Sequence, residues 1–194
     1  MQDYLDEYGE PIAIMVFSQG MLAVFQPSRD SDRVACFGGI LDHTIHGASE
    51  IAKLNLVANF GSTITQLEGI PLLYAYQHEG CVMKYRVDGE RVIVEHMDEI
   101  EPSNDWPYEN FPRFFPEVSL AIVHQHAMSF DDFCELAVQG YFEEGDETWA
   151  HVIVPPSEAY GVSLWGEDGD AEGVQTLFSV DPEHKRVVTS NQCG

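Results

Sequence analysis

Positive charge is what this sequence has least of. Nine Lys and Arg stand against 33 Asp and Glu, a formal net charge of −24. Between Arg113 and Lys185 there is no Lys or Arg at all, while fifteen carboxylates fall in that interval. Such a field repels phosphate backbones and anionic lipid, so neither nucleic acid nor a membrane is the expected partner, whereas a basic protein surface would be attracted. A plainer reading competes with this one: the acid only solubilises, as in proteins of salt-adapted organisms.

Other absences narrow the class further. No run approaches the ~18 apolar residues of a membrane span, and the opening "MQDYLDEYGEP" is acidic where an export signal is basic, which points to a cytoplasmic protein. Cys36, Cys81, Cys134 and Cys193 are scattered, with neither CxxC nor zinc-ribbon spacing. The first three sit in apolar contexts and read as reduced core residues. There is no GxSxG, no Cys with a recognisable His partner motif and no phosphate-cradling glycine loop. A non-enzymatic protein without a cofactor is therefore favoured over an enzyme.

What is present is enough for a core. A chain of 194 residues with 44% hydrophobic content predicts a single compact domain over 1–194, or two fused halves, 1–100 and 118–194, joined by the Pro- and aromatic-rich segment 101–117. "IAIMVFS", "MLAVFQ" and "RVACFG" read as a first meander with a turn at Gln19-Gly20; "IPLLYAYQ", "CVMKYRV" and "ERVIVEHM" read as a second. Asp88-Gly89 marks a hairpin, because a type I′ turn needs positive φ at both central residues. A first helix is expected after Ser49, with Ile51, Leu54, Val57 and Ala58 on one face and Gly61 as its stop. A second is expected from Ser129, with Ser129 and Asp132 as a capping-box pair, Met128 and Phe133 as a staple, and Phe130, Phe133, Cys134, Ala137 and Tyr141 as its apolar stripe. A final hairpin joins "VQTLFSV" to "RVVTSN". The class so read is α+β: a mostly antiparallel sheet built from β-meanders, with two main helices.

Few constellations carry chemistry. In "VSLAIVHQH", the alternation puts His124 and His126 on one face of a strand, where with His151 they form the best candidate metal site. Against a metal, the two His continue an apolar row, and helix capping already explains Ser129, Asp131 and Asp132. His43 and His46 would meet on a helical turn, without a third ligand. Asp168 to Gly173 opens like a calcium loop, but its twelfth position is Ser179 where a Glu is needed.

Two features point to a partner. Trp106, Tyr108, Phe111, Phe114 and Phe115 crowd a proline-stiffened loop whose only cation is Arg113. Aromatics and Arg are what interfaces enrich at their hot spots, although large aromatics are also, on average, well buried. The second helix, as read, ends in Glu143, Glu144, Asp146 and Glu147, where the macrodipole disfavours negative charge. A cationic partner would offset that penalty. Partner-binding residues are thus expected at Glu143, Glu144, Asp146, Glu147, Trp106, Tyr108 and Phe114.

In composition and expected architecture the whole chain resembles the bacterial toxin-immunity proteins as a class: small, acidic, cytoplasmic α+β proteins without catalytic signatures. That resemblance implies a stoichiometric inhibitor of a basic toxin, commonly a nuclease, and transfers no residue roles. The alternative is a metal-dependent enzyme centred on the HxH strand.

Overall fold

The computed structural model describes residues 4–47, 54–76, 81–98, 112–137, 140–162 and 174–193. Among these described residues twelve strands form one sheet: β1 Ile14–Ser18, β2 Met21–Pro27, β3 Ala35–Phe37, β4 Thr44–His46, β5 Asn55–Asn59, β6 Leu72–Tyr74, β7 Met83–Asp88, β8 Arg91–Met97, β9 Val118–Ala127, β10 Ala150–Val154, β11 Val174–Asp181 and β12 Arg186–Cys193. Their order is β4-β8-β7-β12-β11-β10-β1-β2-β9-β3-β5-β6. Every pairing is antiparallel except β4 with β8. Strands from before residue 100 and after residue 118 are interleaved in that order.

The expected α+β class does not hold. Among the described residues there is one α-helix, α1 Phe130–Cys134, with three short 3-10 turns, so the protein is nearly all β. The first expected helix is strand β5. Leu54, Val57 and Ala58 do recur at helical spacing, but Leu56 is buried beside them. A strand covered on both faces shows a continuous apolar run, which periodicity does not separate from a helix. Ser49 and Ile51 lie outside the described residues. His43 and His46 flank and end β4 and share no helical turn.

The second helix begins where expected and stops early. The Ser129 side chain accepts from the Asp132 amide at 3.1 Å, and its hydroxyl donates to the Asp132 carboxylate at 2.6 Å. After one turn the bonds tighten to three-residue spacing, Leu136 N to Phe133 O and Ala137 N to Cys134 O, and the α-helix ends.

Both faces of the sheet's centre are covered. Along β1, Ile14 and Val16 enter the larger cluster while Met15 and Phe17 enter the smaller; along β2, Ala23 and Phe25 oppose Leu22 and Val24 in the same way. The larger cluster defines an inner face, because the sheet folds back on itself. Tyr85 of β7 donates to Pro71 O at 2.8 Å and accepts from Leu73 N at 2.9 Å, while Tyr76 reaches Thr176 of β11 at 2.9 Å. These bonds hold the β5–β6 end across β7 and β11. Phe37 stacks with Phe115 and Tyr160 in the same interior. On the outer face, Tyr4, Phe133, Ala137 and Phe142 cap the smaller cluster. Cys36 and Cys81 are free and buried, and Cys134 is partly exposed.

The hairpins follow local chemistry. Gln19 (φ 54°) and Gly20 (φ 74°) both take positive φ between Ser18 and Met21, the two-residue type I′ pattern. Between β7 and β8, Asp88 pairs with Arg91, so the turn centres on Gly89 and Glu90, and only Gly89 has positive φ. The hairpin is where the Asp-Gly pair placed it, with the turn one residue later than the type I′ reading. The turn at Glu79-Gly80, expected between the first two strands of the second meander, and the loop Asp168 to Gly173 lie outside the described residues. Among the described residues, no helix is long and apolar enough to cross a membrane.

Candidate functional site

The expected acidic residues gather in one loop, 140–149, which lies on the outer face between α1 and β10. They do not end a helix, so the macrodipole penalty inferred for Glu143, Glu144, Asp146 and Glu147 does not arise: the helix stops at Cys134, well before them. Three anchors hold the loop instead. Phe142 packs against Phe133 and edge-on against His151, with centroids 5.8 and 4.8 Å apart. Thr148 O accepts from the Gln66 side chain at 2.9 Å, and Gln66 in turn accepts from Ser18 on β1. Asp146 folds into a turn, its carboxylate accepting from the Thr148 amide and hydroxyl, and these bonds hold its pKa below the usual carboxylate range.

His151 lies beneath the loop, fully buried. Its Nε2 meets Asp146 O at 2.8 Å and its Nδ1 meets the Ser179 hydroxyl at 3.1 Å. A carbonyl can only accept, so Nε2 carries the proton and Nδ1 accepts from Ser179. Burial pushes the pKa down, which keeps the ring neutral. Gly145 crosses close above it with φ 104°; a Cβ there would stand 2.8 Å from His151 Cε1 and 3.0 Å from the Trp149 ring. The loop therefore needs glycine at this position for both backbone and space.

The third anchor is ionic. Glu144 pairs with Lys84 of β7 and, at 3.3 Å, with Arg186 of β12. Arg86 and Arg186 stand directly opposite each other across β7 and β12, an arrangement that repels unless it is bridged. Glu95 bridges them, at 3.3 Å from Arg86 and 3.4 Å from Arg186. The latter contact is close enough for charge pairing, although Arg186 Nε is not aligned for a hydrogen bond. The hydrogen bond from Lys84 is the chief reason the Glu144 pKa lies below its usual value. Sequence proximity could not show this pairing, because the cations lie 60 and 42 residues away.

With the anchors engaged, Glu143, Asp146 and Glu147 face solvent. Tyr141, expected in the apolar stripe of the second helix, is 67% exposed beside them. Its signal was the shortness of the helix, which hydrophobic spacing alone does not disclose. Phe114 is exposed at 45% with Arg113 over its ring at 5.2 Å, whereas its neighbour Phe115 is buried in the core. Phe114 belongs to the β3–β5 end of the sheet, where Asn55 binds Pro112 O and Arg113 O, and so is separate from the acidic loop. Trp106 and Tyr108 lie outside the described residues.

No protein-family model, curated protein or solved structure matches this chain.

The histidines of the metal reading share the outer face but not a place. A bulge at Val123 switches β9 between faces: Ile122 pairs with Phe25, whereas His124 pairs with Val24 and His126 with Leu22. The row Val118, Leu120 and Ile122 therefore faces inward, and the two His face outward. In register, His151 aligns with Phe17, Leu22 and His126, three strands from His126, roughly 14 Å at ordinary strand spacing. Its own nitrogens are engaged with Asp146 and Ser179. Among the described residues, no group of three or more His, Cys, Asp or Glu could hold a metal ion.

Proposed function

We propose that the protein is a stoichiometric binding protein, an inhibitor or immunity protein that captures a basic partner through its acidic surface. One observation carries the reading: the scarce cations are gathered and neutralised internally. Lys84, Arg86, Arg91, Lys185 and Arg186, five of the nine Lys and Arg, lie on or beside the strands β7, β8 and β12. Four of them pair with Glu144, Glu95 or Asp88, and Arg33 pairs with Glu117. Among the described residues no cation pairs with Glu143, Asp146 or Glu147, which are exposed next to an exposed tyrosine. A basic surface with a pocket for one aromatic ring fits this chemistry, and charge of this kind acts chiefly on the rate of encounter.

The test is binding kinetics against basic proteins encoded beside this one, at two salt concentrations. Association is expected to be fast and to slow steeply as salt rises, because steering is screened beyond ~10 Å at 0.1 M ionic strength. Glu143→Lys with Glu147→Lys should slow encounter and leave stability nearly unchanged. Tyr141→Ala should raise the off-rate, with a loss of about 2 kcal/mol as expected for a hot spot. A salt-independent on-rate that ignores the charge reversals would reduce the acidity to a solubility device.

A further inference from the structure

We infer that the free edge of β9, from His124 to Ala127, accepts an extended strand of the partner polypeptide; the identity of that partner as basic rests on the function proposed above. β2 pairs with β9 along its length, from Pro27 to Met21, but on the other side β3 covers only Val118 to Leu120. Val34 N reaches Leu120 O, and among the described residues nothing pairs with β9 on that side beyond this point. Residues 123 to 127 are all exposed. Unpaired N–H and C=O groups in a row are a template for another strand, and natural edges are commonly guarded by Lys or Pro. Here "VHQHA" carries neither. The bulge at Val123 bends the edge, so the straight free stretch is four residues long, about 13 Å at 3.3 Å per residue. That is enough for a short added strand.

The surroundings select the occupant. Gln125 pairs with Ala23 and lines, with Met21, Thr63, Ile64 and Thr65, an open cavity of about 190 Å³ on the inner side of this edge. Alternate side chains of an added strand would point toward that cavity, which admits a small residue. The edge itself carries no Lys, Arg, Asp or Glu, while Asp131, Asp132 and Glu135 are exposed just beyond Ala127. A second copy would bring another net charge of −24 against this one. A segment that is neutral for about four residues and then carries Lys or Arg matches both the edge and its flank.

The probe is a synthetic peptide, Thr-Val-Thr-Val-Thr-Lys-Lys, capped at both ends, with a control N-methylated at all seven residues, which has the same charge but no residue backbone N–H to donate. The parent should bind and slow amide hydrogen exchange at 124–127, and the control should bind at least ten-fold more weakly. Gln125→Lys, with wild-type circular dichroism, should lower the parent's affinity ten-fold or more; Val123→Lys serves as the second variant. Equal binding of both peptides without protection at 124–127 would overturn strand addition and leave the acidic-surface reading standing. Absence of binding by the parent at millimolar concentration would overturn it too. A dimer of the protein alone that grows with salt and protects 124–127 would assign the edge to a second copy. Failure of the basic-partner reading shows separately, as salt-independent association with the basic proteins.

Discussion

At the scale of single residues, the buried side chains of Tyr85 and His151 are held by hydrogen bonds at each polar atom. Tyr85 is completely buried, and its hydroxyl both donates to Pro71 O and accepts from Leu73 N. Tyr85→Phe keeps the ring but strands a carbonyl and an amide in the core. The expected cost is about 1–3 kcal/mol, read by urea denaturation with an unchanged m-value. His151 carries a pH dependence. Burial lowers its folded pKa, so the unfolded chain takes up a proton that the folded chain refuses. Its contribution to stability is therefore complete above the unfolded value of about 6.5, and is lost as pH falls from there toward the folded pKa. Exposed His184, whose pKa Asp181 raises by hydrogen bonding, has the opposite sign: its contribution is present below the unfolded pKa and is lost as pH rises through the folded one. Stability measured from pH 8 to 5 for the wild type and His151→Gln should differ by a constant above pH 7. Below that the wild type should lose ground. A constant difference throughout would place the protonated ring comfortably in the core.

At the scale of elements, the sequence was most legible where local chemistry decides the outcome. Ser129 caps a helix because its hydroxyl meets the Asp132 amide, and Gln19-Gly20 turns because both residues accept positive φ. It was least legible where tertiary cover decides. β5 reads as a helix because both its faces are buried, and the helix after Ser129 reads long because Ala137 is apolar and buried although it is no longer helical. The candidate site followed the same division: its carboxylates were visible, but the distant Lys84 and Arg186 that hold Glu144 were not. The loop itself makes a prediction. Gly20→Ala meets nothing within 4 Å and bears only the backbone cost of positive φ, about 1–2 kcal/mol. Gly145→Ala bears that and also presses on His151 and Trp149, adding roughly 1–3 kcal/mol of overpacking unless the loop lifts. Thermal unfolding of the two variants should rank them in that order. Hydrogen exchange should rise across 140–149 only for Gly145→Ala. Equal effects would mean that the loop is not clamped over His151.

At the scale of the whole molecule, the net charge of −24 acts on stability and on binding with opposite dependence on salt. Folding brings the carboxylates together, and the paired cations around β7 and β12 leave most of that repulsion uncancelled. Added salt screens it, so the melting temperature should climb as NaCl rises from 0.05 to 0.5 M, where the screening length shortens from more than 10 Å toward a few ångströms. A purely solubilising acidic surface predicts this rise as well, so the rise alone does not distinguish the readings. The discriminating quantity is association with a basic partner over the same salt range. If the surface is built for capture, the on-rate should fall steeply while the melting temperature rises, because one screening weakens repulsion within the chain and attraction between chains. Glu144→Gln sharpens the comparison. It releases Lys84 and Arg186 from their shared carboxylate, at a stability cost within about 1 kcal/mol for so accessible a pair, and frees Lys84 next to the acidic loop while Arg186 keeps Glu95. The on-rate should then drop more than the loss of one charge outside this loop, on the 3-10 turn between β2 and β3, such as Asp32→Asn, would cause. Equal effects from the two substitutions would show that only total charge matters, and that internal neutralisation of the cations has no part in recognition.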